Sequence, residues 1–448
     1  MPLPPGPNEP PIIQLIRWIR NPFELLADCQ SRIGDAFSLR LPGLRMRLVV
    51  VSDPDIVKDV FALGSDSAHA GEANVILKPF LGQHSLLTLD GAPHMRHRKM
   101  MMPAFHGERM HVYGRTMIEL ANEAIDSWPI GNAFSMHRPM QSVTLNIIVR
   151  TVFGLAEGPR LRELTDVLTR TLDVAAWPLL LLPVIQRDLG RFSPWGRYKR
   201  LAEQAGNMLR GEIRRGRALG TKGRTDVLAM LLDARDEGGN PLAEDEVLDE
   251  LVTLLVAGHE TTATALVWTL RWLLPNPSLI ARLRDEIATA EGDPQKIAKL
   301  ELLDATVKES LRLQPVIPLV ARVLKEPQTL GRLALPAGTA VAPSIYLVHR
   351  RPSLYPDPDR FRPERFFGFK PAPWEYLPFG GGLRRCIGAA FALYEMKMVL
   401  AVLLPRIDAR LAAGSVRPTR RSVTVTPADG LPIVVTARHP RHAPATAA

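Results

Sequence analysis

Only two of the 448 residues are cysteine, Cys29 and Cys386, and they lie in unrelated contexts. A disulfide framework is excluded, and a reducing cytoplasm suits the chain. No run of about 20 apolar residues occurs, so no transmembrane anchor is expected. The amino terminus, MPLPPGPNEPP, lacks the charged-then-apolar pattern of a secretion signal. Acidic residues are outnumbered, 46 against 56 Lys and Arg, which leaves a formal net charge of +10. The basic residues are interleaved with Asp and Glu, and no basic block carries aromatics between its charges. Nucleic-acid binding is therefore set aside. The imbalance reads as a solvated face or as a docking patch for an acidic protein. No internal repeat occurs.

What the chain has in quantity is proline, 40 residues spread along its length, so many short segments are expected. Residues 12–33 have helical spacing interrupted at Pro22. Phe37, Leu39 and Leu41 then alternate with polar neighbours, Pro42-Gly43 turns the chain, and Met46, Leu48 and Val50 alternate again, a hairpin signal. Asp53-Pro54 supplies an N-cap and a first helical residue for a helix over about 54–63. From about 93 to 315 the pattern is mostly helical, including a segment at 225–239 that ends at paired glycines. A long helix is predicted from Glu244 to Leu274, about 48 Å at 1.5 Å per residue. Its middle, LLVAGHETTATALV, is apolar nearly all round, as in a buried helix. Alternation returns at 333–342 and 422–436, and residues 438–448 read as a frayed tail. The expected fold is mainly α (α+β) in one domain over 1–448. Its β-rich part covers about 36–62, 316–345 and 420–437, and its helical part about 63–315 and 346–410.

Residues 379–388 read FGGGLRRCIG, with Phe379, Gly382, Arg384, Cys386 and Gly388 spaced as F-x-x-G-x-R-x-C-x-G. Chance would assemble these five at this spacing roughly 10⁻⁴ times or fewer. A metal-ligating thiolate needs a backbone that bends closely around it, which Gly380, Gly381, Gly382 and Gly388 permit. It also needs amide groups aimed at the sulfur. Phe379 can shield the sulfur, and Arg384 can pair with a carboxylate of a cofactor. In the central helix, AGHETT (257–262) places Glu260, a carboxylate in an apolar run, beside the alcohol of Thr261. Gly258 is expected to weaken the helix there, and Thr261 to bond a carbonyl one turn back and open the ladder. An acid beside an alcohol suits proton relay.

FGGGLRRCIG resembles the haem-binding loop of the cytochrome P450 family, and AGHETT resembles that family's oxygen-activation motif. The resemblance runs from about residue 12 to 437. It implies a fold with a long central helix, haem b held by Cys386, and a buried network of Glu309 and Arg312 (from ESLR) with Arg365 (from PERF). His94 and Arg98, in HMRHR, and Arg322 match positions that bond the haem propionates, where many relatives carry Trp in place of His94. Phe379, Gly380, Arg384, Gly388 and Ala257 complete the implied cofactor contacts. Pocket walls are implied at Val256, Ala257, Val316, Ile317 and Leu319, with 174–185 as a lid or as plain core.

The resemblance implies a monooxygenase that inserts one oxygen atom of O2 into a C–H bond of an apolar molecule, with a terpenoid or fatty acid favoured. The pair Glu260 and Thr261 favours an electron-fed enzyme over a hydroperoxide-driven one. The implied donors are a small acidic ferredoxin and its reductase, docking where Arg384, Arg385 and Lys397 lie on or under the surface. A monomer in the cytoplasm is expected. Three alternatives stay open: a polyketide or macrolide tailoring oxidase, an enzyme of this fold without net monooxygenation, and a haem sensor without turnover.

Overall fold

Proline sets the first boundaries. Pro11 and Pro22 each open a helix, Pro11–Arg20 and Pro22–Ile33, and Asn21 caps the second by accepting from Glu24 N–H at 3.3 Å. Asp53 caps Pro54–Ala62 in the same way, accepting from Asp55 N–H at 3.0 Å. The computed structural model describes residues 2–43, 46–105, 109–154, 158–412, 414 and 416–441.

The strands, in chain order, are β1 (Ala36–Leu39), β2 (Arg47–Val51), β3 (Ala68–His69), β4 (Ala133–Ser135), β5 (Arg322–Leu324), β6 (Gln328–Leu330), β7 (Leu333–Leu335), β8 (Thr339–Pro343), β9 (Ile407–Leu411), β10 (Pro418–Arg421), β11 (Thr424–Pro427) and β12 (Pro432–Arg438). The hairpin read at 37–50 is β1–β2, antiparallel with Ala36 opposite Val51. It joins β8 in parallel, and the sheet runs β1-β2-β8-β5-β3. Most of the helical part lies between β2 and β8 in sequence, so the pairing of these two strands spans it.

The alternation read at 422–436 divides between two sheets. β11 pairs with β10, while β12 pairs with β4 and β9. Leu431, in the left-handed region at φ 59°, turns the chain from one to the other. Three strands thus fall inside stretches read as helical, β3, β4 and β9; each is five residues or fewer and gains its pairing from distant partners. The helix expected over 225–239 is shorter, Val227–Asp233, because Asp236 draws Gly238 and Asn240 into a turn. The tail is ordered as far as Arg441, which pairs with Asp126, and His439, 2.9 Å from Asp408. Residues 442–448 lie outside the described residues.

The central helix runs Glu244–Leu273 as 30 residues, about 45 Å. Its acidic start is half of a capping box, since Glu246 accepts from Ala243 N–H at 2.8 Å. Among the described residues it is the one helix long and apolar enough to cross a membrane, and 67% of its apolar window is buried within the protein. It packs on His137–Phe153 and inside the largest core cluster, where Leu255, Leu266, Val267 and Leu270 are buried. Trp268, 1% exposed, donates its indole N–H to Val425 O at 2.8 Å and pins the β10–β11 hairpin to this helix.

Candidate active site

The cysteine loop is built around glycine. Gly380 and Gly382 have φ of 65° and 64°, and a Cβ on Gly382 would stand 2.3 Å from Phe61 O. No other residue type fits that close approach without moving the backbone. The loop then closes on itself, with Cys386 N–H donating to Phe379 O at 2.9 Å. The Gly388 N–H is directed at the sulfur, and the helix Ala389–Arg406 starts immediately behind it. Burial pushes the Cys386 thiol up; the Gly388 amide, Arg98 and Arg385 oppose that and favour a thiolate. The residue is exposed by surface area yet enclosed by protein, because its free surface opens onto an internal cavity.

That cavity has a volume of about 780 Å³ and a mostly apolar lining. Val256, Ala257, Glu260 and Thr261 line it from the central helix, and Val316, Ile317 and Leu319 from the segment after the Glu301–Leu313 helix. Phe379, Gly380 and Gly388 line it beside Cys386. From the stretch 174–185, Pro178, Leu181 and Leu182 reach the cavity, Leu180 is buried, and Trp177 and Val184 are exposed. The segment is therefore cavity wall and outer surface at once.

Cations gather on one wall. His94, Arg98, Arg322 and Arg384 all line the cavity. Arg322 is buried, its guanidinium bonds Gly381 O at 2.8 Å, and burial with the Arg384 charge pulls it down to about 10. Arg98 has no hydrogen-bond or ion-pair partner among the described residues. His94 is neutral, driven to about 3 by burial, Arg384 and Arg98. Asp90 is the nearby anion, and Arg384 is already committed to it and to the Leu86 and Leu89 carbonyls. Sequence reasoning gave Arg384 to the cofactor and had no signal for Asp90, which lies almost 300 residues away in the chain.

The helix bearing His94 and Arg98, Gly91–Met101, is tied to the central helix by a buried pair, His97 Nδ1 at 2.7 Å from Glu250 Oε1. Arg96 adds bonds to Asp236 at 2.8 Å and Glu246 at 2.9 Å. The cationic wall is thereby held in place before any ligand arrives.

In the AGHETT segment, Thr261 Oγ1 donates to Ala257 O at 2.6 Å as expected, but the helix continues without a break. Gly258 has a different role from the one expected. A Cβ there would stand 2.2 Å from Ile148 Cδ1, so the missing side chain admits the neighbouring helix. Glu260 accepts from Gln141 Nε2 at 2.7 Å and lies 3.3 Å from His137 Nε2 and 3.4 Å from Arg421 Nε. Burial pushes its carboxyl up, but His137 and Arg421 outweigh burial and hold it below the usual carboxylate range. Arg421 continues to Asp173 at 3.0 Å, half exposed, so a chain of charged groups leads from Glu260 outward. His137, Gln141 and Arg421 carry no motif and were not legible in the sequence.

Beneath the loop, Glu309 and Arg312 form a bidentate pair at 2.7 and 2.9 Å, and both are fully buried. Arg365 Nε donates to Glu309 at 2.9 Å, and Arg312 also bonds the His349 and Pro358 carbonyls at 2.8 Å. His349 accepts from Leu377 N–H at 2.7 Å and faces Arg312 O at 3.2 Å, which defines a neutral ring joining this network to the cysteine loop. Lys397 is buried and bonds Ala298 O at 2.7 Å and Asp304 at 3.1 Å. It presents no charge to a partner, whereas Arg385 is exposed.

His349 and His259 are held neutral, chiefly by burial, at about 3 and about 4 against an ordinary 6.5. Between pH 6.5 and 4 they take up protons only when the chain unfolds. Their contribution to stability therefore falls as pH drops through that window, and buried His94 adds to the same trend. Denaturant titrations at stepped pH should show the loss, and His349→Gln should flatten it.

A helical fold with a small sheet part, a thiol on a glycine loop and a half-buried acid–alcohol pair facing one cavity define the class of cysteine-centred helical enzymes. The cytochrome P450 family profile matches residues 4–430. The chain is 41% identical over 440 residues to cytochrome P450 135B1 of Mycobacterium tuberculosis, covering 98% of this chain and 92% of that one. It is 37% identical to cytochrome P450 135A1 of the same organism, covering 96% and 94%. Retinoic acid-bound cyanobacterial CYP120A1 superposes with a TM-score of 0.85 at 26% identity, covering 97% and 99%. The chain belongs to the cytochrome P450 family and is a P450 monooxygenase, whose members bind haem through a cysteine thiolate.

Proposed function

We propose that this protein holds haem b through Cys386 and hydroxylates an apolar small molecule, with a terpenoid or fatty acid favoured. One observation carries the reading: the Cys386 thiol and the Glu260–Thr261 pair open onto one apolar cavity. The residues fit the cofactor. Among the described residues Arg98 and Arg322 form no ion pair at the cavity wall, as two propionates require, and the neutral His94 can donate beside them. When bound, haem supplies oxygen activation, and a thiolate ligand favours O–O cleavage.

The chain's own groups manage protons and water. Thr261 has committed its hydrogen to Ala257 O, so its oxygen is presented to the cavity as an acceptor. Glu260, ionised between Gln141, His137 and Arg421, takes protons from the outer side, and each proton it hands to Thr261 Oγ1 is balanced by the hydroxyl turning its own hydrogen from Ala257 O into the cavity and releasing it there. Val256, Val316, Ile317 and Leu319 exclude water around the substrate. Electrons come from a ferredoxin and its reductase, with Arg385 on the docking face. Both cysteines are free, in keeping with the cytoplasm. The similarity to a protein solved with retinoic acid, an isoprenoid, supports an extended apolar substrate.

The reduced, carbon-monoxide-bound spectrum tests the ligation, followed by NADPH consumption with a ferredoxin pair and a panel of terpenes and fatty acids. Glu260→Gln is expected to slow product formation about 10²-fold or more, the scale of a lost acid–base group. Thr261→Ala should keep NADPH consumption and divert it to peroxide. Unchanged coupling in Thr261→Ala would refute the relay.

A further inference from the structure

Adjacent residues on a strand point to opposite faces, and Arg420 and Arg421 at the end of β10 show what this can separate. Arg421 is compensated by Asp173 and Glu260. Arg420 is not. Its Nη2 donates to Ser422 O at 2.9 Å, its buried Nε has no acceptor, and no carboxylate pairs with it among the described residues. It lines the cavity from β10, with its guanidinium 4.9 Å from the Trp18 ring centroid. Burial alone lowers it to about 10, with no charged neighbour contributing.

The acids that also line the cavity are accounted for elsewhere. Glu260 is held as described, Asp249 accepts from His84 N–H at 2.8 Å, and Glu203 is exposed. The guanidinium packs on Trp18, and Leu15, Ile19 and Met46 line the same mostly apolar cavity. An enclosed cation without an anion is costly, and a planar guanidinium matches a carboxylate in two-pronged geometry. The platform is rigid. Arg420 lies opposite Val425, which is fixed by Trp268 and by its own N–H to Val316 O at 2.8 Å, and Thr419 bonds Ile19 O at 3.3 Å.

We infer that Arg420 is the anchor for a substrate carboxylate, so that the enzyme selects an amphipathic monocarboxylic acid, bound by its head at the β10–β11 hairpin with its apolar body along the cavity. The inference rests on the monooxygenase reading and narrows its substrate to acids. Trp18 lies against the guanidinium, and a carboxylate would take the hydrogens that the Ser422 carbonyl leaves unused. One cation suits a monoanion, and the apolar lining suits a hydrocarbon body of fatty or isoprenoid origin.

The test uses the haem-loaded enzyme and matched pairs: dodecanoic and hexadecanoic acid, farnesoic acid, and the methyl ester of each. Affinities are read from the substrate-induced spectral shift and by isothermal calorimetry, which needs no haem signal. At least one acid is expected to bind about 10- to 100-fold tighter than its ester, the scale of a hydrogen bond to a charged group. The arm in which it appears tells a fatty from an isoprenoid body. Arg420→Gln should bring acid affinity down to that of the ester, and Arg420→Lys should keep part of the preference. Equal binding of acid and ester, no binding of any acid, or an acid preference that survives Arg420→Gln would each overturn the inference. A guanidinium that served only to pack against Trp18 would lower acid and ester alike on substitution. A thiolate-type carbon-monoxide spectrum together with equal acid and ester binding defeats the anchor alone. Loss of that spectrum defeats the haem reading, while calorimetry still decides the anchor.

Discussion

Cys386→Ser is expected to abolish the thiolate-type Soret band of the reduced, carbon-monoxide-bound protein and, with it, monooxygenase turnover. The alcohol is a far weaker acid than the thiol and has no soft sulfur to give to the metal. The loop is arranged around sulfur: the Gly388 N–H and the start of the Ala389–Arg406 helix face it, and Arg98 and Arg385 add positive charge. Each of these stabilises an anion that serine does not supply at neutral pH. The activity loss should exceed the roughly 10- to 100-fold typical of removing an outer-shell partner of a metal ligand. Haem content and the spectrum are measured on the same preparation. Thiolate-type absorption surviving in the serine variant would remove Cys386 from the site, since Cys29 is buried in a separate core cluster. The fold should tolerate the change, because the cysteine's structural bond to Phe379 O is made by its backbone.

Glu309→Gln should act on stability instead, with no direct effect on the chemistry. Glu309 accepts from Arg312, Arg365 and the Arg362 N–H, and Arg312 is 0% exposed. The amide keeps the shape and removes the charge, leaving a buried guanidinium without its counter-ion. Breaking such a pair costs about 3–5 kcal/mol, a large part of the 5–15 kcal/mol that holds a typical protein together. The lesion falls where it harms the site, because Arg312 also gathers the His349 and Pro358 carbonyls and His349 accepts from Leu377, two residues before the cysteine loop opens. The expected result is a lower denaturation midpoint with poor haem retention, and a near-normal spectrum in the fraction that does retain haem. Removing both charges, with Arg312→Met added, should recover part of the loss. A midpoint within about 1 kcal/mol of wild type, the scale of an exposed pair, would show that this one is dispensable.

Much of the site was legible because short-range chemistry repeats in short strings. The loop 379–388 had to carry its own glycines, since positive φ and the close approach to Phe61 are demands on single residues. The central helix was legible from its acidic start and its apolar middle, and its observed end falls within one residue of the one expected. The errors share one cause. β3, β4 and β9 were read as helical because strands of two to five residues carry no period of their own, and a partner far away in the chain supplies their hydrogen bonds. Lys397, read as lying on or under a docking face, is not an error of this kind: it lies under the surface, bonded to Asp304 and the Ala298 carbonyl.

Residue order alone was therefore enough to recognise the family and to nominate Cys386 and the Glu260–Thr261 pair, since each is a property of a contiguous string. Folding decided which charges stay unanswered. Arg98 and Arg322 are left without an ion pair among the described residues, Arg384 found Asp90, Arg421 found Glu260, and Arg420, one position away, found none. Charge compensation is a sum over neighbours in space, and those neighbours are scattered from Trp18 to Arg421 along the chain. The family's cysteine loop is a string of ten consecutive residues, while the balance of charge around the cavity exists only once the chain has folded.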